Sequence, residues 1–137
     1  MSETTHKTHA TGRIEADAFE ANTYDELAGG PDLVEIHVTE SFTGDIHGHG
    51  SARYLQALRD DSSGSFVGME RVEGGIGDRS GSFLLQVAGT QQGKTLHGEW
   101  FVVPGSGTND LAGLRGEGGF TADLGKGASI TLNYWFE

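Results

Sequence analysis

The chain has 137 residues, of which 23 are Gly, 2 are Pro and none is Cys, and 35% are hydrophobic. One domain with a modest core is expected, and two prolines are too few for a disordered Pro/Gly linker or a collagen-like repeat. The net charge of −11 repels phosphate backbones and anionic membrane surfaces, so neither nucleic acid nor a membrane is expected as partner; the absence of Cys removes disulfides, thiolate nucleophiles and Cys-ligated metal centres.

Residues 1–10 are polar, without an apolar period, and read as a flexible N-terminal tail ahead of a single domain over 11–137. The tail carries no apolar signal core, so a cytoplasmic location is expected. No apolar run is long enough to span a bilayer. From Thr11 onward the pattern is one of alternating runs closed by turns. The first run is Thr11–Glu20; Asn22–Leu27 is too short to assign, and Ala28-Gly29-Gly30-Pro31-Asp32 is a turn. Leu33–Thr43 and Ile46–Leu58 follow, then a hairpin turn over Asp60–Gly64 and a fourth run over Ser65–Glu73. Gly74–Gly81 reads as another turn. Ser82–Thr90, Lys94–Val103, Leu114–Ala122 and Ala128–Phe136 complete eight runs, with a short helical turn allowed only within Thr108–Gly113. Eight strands joined by short turns make an antiparallel meander, which either splits into two layers or closes into a barrel. Closure removes exposed edges and leaves an interior for side chains or one small ligand.

Side chains alternate along a strand, so each run offers two faces. In most runs the even-numbered residues are the more apolar, and these are expected inside: Val34, Ile36 and Val38, or Ile130 and Leu132, for example. The run over 82–90 is ambiguous, with Leu84 and Gln86 on one face and Phe83, Leu85 and Val87 on the other. The inward set includes several Gly, which either let strands coil tightly or leave room for a ligand.

It also includes one notable carboxyl, Glu70, between Gly68 and Val72. A buried carboxylate without a partner is costly, so its pKa rises or something pairs with it. A raised pKa suits a general acid or base at neutral pH. Glu70 is therefore the candidate catalytic residue, unless it caps a rim turn or pairs with Arg71 or Arg79. Tyr54, Gln56, Trp100, Tyr134 and Gln86 are its candidate hydrogen-bond partners. Tyr54, Phe66, Gln86, Trp100 and Tyr134 are the candidate ligand-binding residues. Glu40 is even-numbered too, but its place near a strand end puts it at a rim.

His47 and His49 share a strand face and could chelate one ion, with His37 or His97 as third ligand. Both fall on the outward face, and Arg53 stands four residues after His49 where a metal-binding Glu would help. Surface histidines and no metal are the expectation. Ser106 lacks the strand–turn–helix context of a hydrolase nucleophile. Gly105-Ser106-Gly107-Thr108 lacks the Lys of a phosphate-binding loop.

Val102-Val103-Pro104-Gly105-Ser106-Gly107-Thr108-Asn109-Asp110-Leu111-Ala112-Gly113-Leu114-Arg115-Gly116-Glu117-Gly118 closely resembles a bacterial domain-of-unknown-function family of the allene oxide cyclase-like barrel superfamily. Gly44-Asp45-Ile46, Phe66-Val67-Gly68-Met69-Glu70-Arg71-Val72 and Arg79-Ser80-Gly81-Ser82-Phe83 agree with it, and the likeness covers nearly all of the chain after the tail. More distantly, the Gly-rich turn is similar to that of plant allene oxide cyclases and dirigent proteins. The resemblance implies an all-β fold, a closed eight-stranded antiparallel barrel of the allene oxide cyclase-like, calycin-like kind, and a homo-oligomer. It carries over no catalytic residue, and the cyclases' cysteine has no counterpart here.

Two functions remain open from the sequence. One is a barrel that binds a small hydrophobic molecule and acts on it as a cofactor-free isomerase or cyclase, with Glu70 moving a proton or steadying positive charge. The alternative is a non-catalytic lipophilic carrier, or a structural barrel acting through its outer surface. An enclosed cavity discriminates between a working lumen and a filled one.

Overall fold

Alternating apolar and polar residues with little helical period leave the backbone one way to satisfy its amides, in ladders between strands. The computed structural model describes residues 6–137, and in it the chain forms eight strands. They are β1 (Thr8–Asp25), β2 (Asp32–Gly44), β3 (Ile46–Leu58), β4 (Ser63–Ile76), β5 (Arg79–Gln92), β6 (Thr95–Val102), β7 (Leu114–Asp123) and β8 (Ala128–Phe136). Each pairs antiparallel with the next, and β1 pairs with β8, so the sheet closes into a barrel. Among the described residues no helix is long and apolar enough to cross a membrane.

Three stretches differ most from those expected. The first strand begins at Thr8 rather than Thr11, because Thr8, His9 and Ala10 pair with Tyr134, Asn133 and Leu132 of β8. Ala10 is buried there; residues 1–5 of the expected tail lie outside the described residues. The same strand runs on through Asn22 to Asp25 against β2. Within Gly74–Gly81 only Gly77-Asp78 is a turn, with Gly77 at φ +60°, and the rest is strand. A Gly at positive φ suits the tight two-residue hairpin.

The two-residue turn also sets which side chains of β5 face inward. Directly opposed residues of neighbouring strands share a face. Even faces even from β2 through β4, as in Val38 opposite Ala52 and Ala52 opposite Glu70. Across Gly77-Asp78, Val72 meets Phe83 and Glu70 meets Leu85, so the phase inverts. It inverts again at β6, where Leu85 meets Val102. The ambiguous run is thereby resolved: Phe83, Leu85 and Val87 are buried inside, and Gln86 is exposed on the outer face. A further inversion lies within β1. A bulge at Asp17 shifts the register between Ala16 and Ala18, and beyond it Phe19 rather than an even-numbered residue opposes Val38.

The barrel has one packed end and one open end. At the packed end Ile46, Val72, Ile76, Phe83, Leu114 and Leu132 form part of one buried cluster, plugged by Leu111. Leu111 ends a 3-10 turn, Asn109–Leu111, inside the stretch where a helical turn was allowed. The Gly-Ser-Gly-Thr segment holds that plug in place. The first residues of β5 lie beyond the end of β6, and this segment satisfies their backbone instead. Leu84 N–H donates to Ser106 Oγ at 3.0 Å and Ser82 N–H to Thr108 Oγ1 at 3.0 Å, while Thr108 N–H donates back to Ser82 O at 2.9 Å. The hydroxyls expected to lack a catalytic or phosphate context thus close the barrel.

Candidate functional site

Above the packed half lies a cavity of about 530 Å³, opening toward the β7–β8 turn. Its walls are largely apolar, with Val34, Ile36 and Val38 from β2, Phe66 from β4, Leu96 from β6 and Phe120 from β7. Phe19, Ala21 and Thr23 join them only because the Asp17 bulge turns the odd residues of β1 inward. The deepest lining residues on their strands are Glu40, Tyr54, Glu70 and Trp100, which form the floor.

Glu70 is fully buried, 0% exposed, and among the described residues no hydrogen-bond donor reaches either carboxyl oxygen. The floor is built around Gly50, which pairs with Glu40 on one side and Val72 on the other. A Cβ at position 50 would overlap Glu70 Oε2 and Phe42 Cε1. Lacking one, Gly50 lets the Glu70 side chain lean across β3 toward Glu40 on β2. Burial pushes the Glu70 carboxyl well above the usual carboxylate range, and the neighbouring Glu40 carboxyl pushes it further. Glu40 is raised as well, chiefly by burial and then by Asp17, against the opposing pull of the Glu70 carboxyl beside it. Two negative charges are thus disfavoured at this floor, and Glu70, the more buried, is raised further. Tyr54 stays a neutral phenol, its pKa raised by burial and then by Glu70 and Glu40.

None of the other expected partners bonds to Glu70. Trp100 Nε1 donates to Thr131 O at 3.0 Å, and Gln56 Nε2 donates to Gln91 Oε1 at 2.7 Å. Arg71 is exposed on the outer face, and Arg79 lies 3.9 Å from the Phe136 ring centroid. Tyr54, Phe66 and Trp100 stand where expected, in an aromatic wall: Tyr54 meets Phe66 edge-on at 5.6 Å, Phe66 stacks on Phe120 at 6.3 Å, and Trp100 meets Phe120 at 5.3 Å. Two expected ligand residues lie elsewhere. Gln86 points outward because of the phase inversion, and Tyr134 sits near the packed end, edge-on to Phe136 at 6.1 Å. Glu40 is the reverse case. It lies at the floor rather than at a rim, because β2 runs on past it to Phe42, which is buried.

His47 and His49 are exposed, and His47 Nε2 lies 3.3 Å from Gly77 O. His37 pairs with Glu35 at 2.7 Å instead. No group of three or more His, Asp or Glu placed to hold a metal occurs among the described residues. The outer face of β3, β4 and β6 carries exposed Leu55, Val67, Met69 and Phe101.

A family described as "Protein of unknown function (DUF3224)" matches residues 10–134. The crystal structure of a protein with unknown function from the DUF3224 family of Shewanella oneidensis MR-1 is similar to this chain with a TM-score of 0.81 and 26% sequence identity. The likeness covers 96% of this chain and 98% of that one. No curated protein matches the chain. The family match reaches into all eight strands, and the chain belongs to the DUF3224 family.

Proposed function

We propose that the barrel holds a small, largely apolar molecule in its lumen and moves a proton on it through Glu70 and Glu40, as a cofactor-free isomerase or cyclase. One observation carries the reading: an apolar cavity of about 530 Å³ ends on a fully buried carboxyl that no donor among the described residues reaches. Pockets for drug-sized ligands span about 300–1,000 Å³. A purely structural barrel gains nothing from such a carboxyl, since a buried polar group without a partner destabilises the fold.

The two carboxyls divide the work by their surroundings. The fully buried Glu70, raised further, acts as the acid, while the less buried Glu40 accepts a proton as the base. The aromatic wall shields the reacting centre from water and restricts the ligand to one conformer.

The test is native mass spectrometry of protein purified from its own host, with identification of whatever small molecule accompanies it. Glu70→Gln protein should fail to convert it. A molecule returned unchanged by the wild-type protein would make the barrel a carrier. An empty lumen that also fails to take up the neutral probe N-phenyl-1-naphthylamine would overturn the reading.

A further inference from the structure

We propose that the lumen selects lipophilic amines, whose apolar body fills the cavity and whose protonated nitrogen sits at the floor against the carboxyls of Glu70 and Glu40. The inference rests on the reading that a small molecule occupies the lumen, and it adds the chemistry of that molecule's polar end.

Three features converge on a cation. The acidic residues lining the cavity are Glu40 and Glu70 at its floor and Glu15 and Asp123 at its mouth, where Glu15 also lies 3.8 Å from Arg13, and the described lining includes no Lys, Arg or His. An anion would meet repulsion along the path and find no counter-charge at the end. Next, Glu70 is fully buried with two acceptor oxygens that no protein donor reaches. An ammonium brings several N–H donors to such acceptors, which a hydrocarbon end cannot do. Finally, the rings of Tyr54, Phe66 and Trp100 line the same part of the cavity. Aromatic faces attract cations, most strongly where water is excluded.

The proton balance is simple. The empty floor holds Glu70 protonated beside Glu40. An arriving ammonium displaces that proton to solvent, and its own N–H then serves as the acid of the site, with Glu40 still the base. The ionisable groups facing Glu70 are Glu40 from β2 and Tyr54 from β3; Asp17 on β1 acts on Glu40. The neighbouring β5, β6 and β7 contribute Leu85, Trp100 and Phe120, none of which titrates.

Isothermal titration calorimetry with 4-phenylbutylamine, 4-phenylbutan-1-ol and 4-phenylbutyrate tests the selectivity on one shared apolar body. Repeating the amine titration in two buffers of different ionisation heat counts the protons released. The amine should bind at least ~10-fold more tightly than the alcohol, the carboxylate more weakly than either, with release of about one proton per amine. Glu70→Gln and Glu40→Gln should each pull the amine-to-alcohol ratio toward unity while leaving alcohol affinity in place. If the wild-type protein binds alcohol as tightly as amine, the amine inference falls and the lumen reading stands. If none of the three binds, both fall. Should Glu70→Gln fail to fold, the wild-type proton count and Glu40→Gln decide the matter.

Discussion

The carboxyl of Glu70 lies over Gly50, the residue on the intervening strand that pairs with Glu40, and a Cβ at position 50 would overlap Glu70 Oε2. Two acidic side chains from strands that are not neighbours can therefore share one floor because the residue between them is the smallest available. The lower half of the barrel is packed with Ile, Leu, Val and Phe, so the carboxyl pair marks the boundary between filled and open lumen.

Stability should fall as pH rises. A free Glu side chain loses its proton near its ordinary value of 4.5, whereas in the fold Glu70 keeps it well above that. Above 4.5 the folded chain therefore binds a proton that the unfolded chain releases, and each further pH unit costs about 1.4 kcal/mol until Glu70 itself ionises. The contribution is complete below the unfolded value and is lost as pH climbs through the folded one. Glu40 acts in the same direction. Thermal melts across this range should show a higher Tm on the acid side, and Glu70→Gln should remove most of the slope. A wild-type Tm that rises with pH would contradict the buried, protonated Glu70.

Glu70→Met should stabilise the protein at neutral pH by about 1–3 kcal/mol. It replaces an unpartnered buried carboxyl with an adaptable apolar side chain of similar size. Chemical denaturation measures the gain. A loss of stability instead would mean that the carboxyl makes favourable interactions in the fold.

Gly50→Ala should destabilise by about 1–3 kcal/mol, since the new methyl group must displace the Glu70 carboxyl and the Phe42 ring. Glu70→Ala in the same background should recover part of the loss. A double-mutant cycle by denaturation tests the coupling, and simple additivity would show that the two residues do not contact.

Leu111→Ala should open the packed end. Leu111 is 0% exposed, and truncating such a side chain costs about 2–5 kcal/mol. Gln86→Ala, on the outer face, should change stability by no more than about 0.5 kcal/mol. The pair of denaturation curves checks both the plug and the inverted phase of β5.

Much of the fold was legible in the chain itself. Ile46–Leu58 and Ala128–Phe136 form strands with the expected bounds, and the short helical turn falls inside Thr108–Gly113. The even-numbered apolar residues of β2, β3, β6, β7 and β8 do face inward, as does Glu70. Local alternation decides these features, because a strand half-buried in a barrel must place its apolar residues on one side.

What local pattern could not decide is where the phase changes and which distant strands meet. A two-residue turn at Gly77-Asp78 inverts β5 and sends Gln86 outward, while the longer run of alternating residues on either side reads the same in both phases. A bulge at Asp17 turns Phe19, Ala21 and Thr23 into the lumen. Thr8–Ala10 become strand only because β8, more than a hundred residues on, closes the barrel against them. Glu40 joins Glu70 for the same reason: their proximity crosses an intervening strand. Alternation along one strand is a local property and is written in sequence. Register between strands, and with it the meeting of two carboxyls over Gly50, is set only when all eight strands close together.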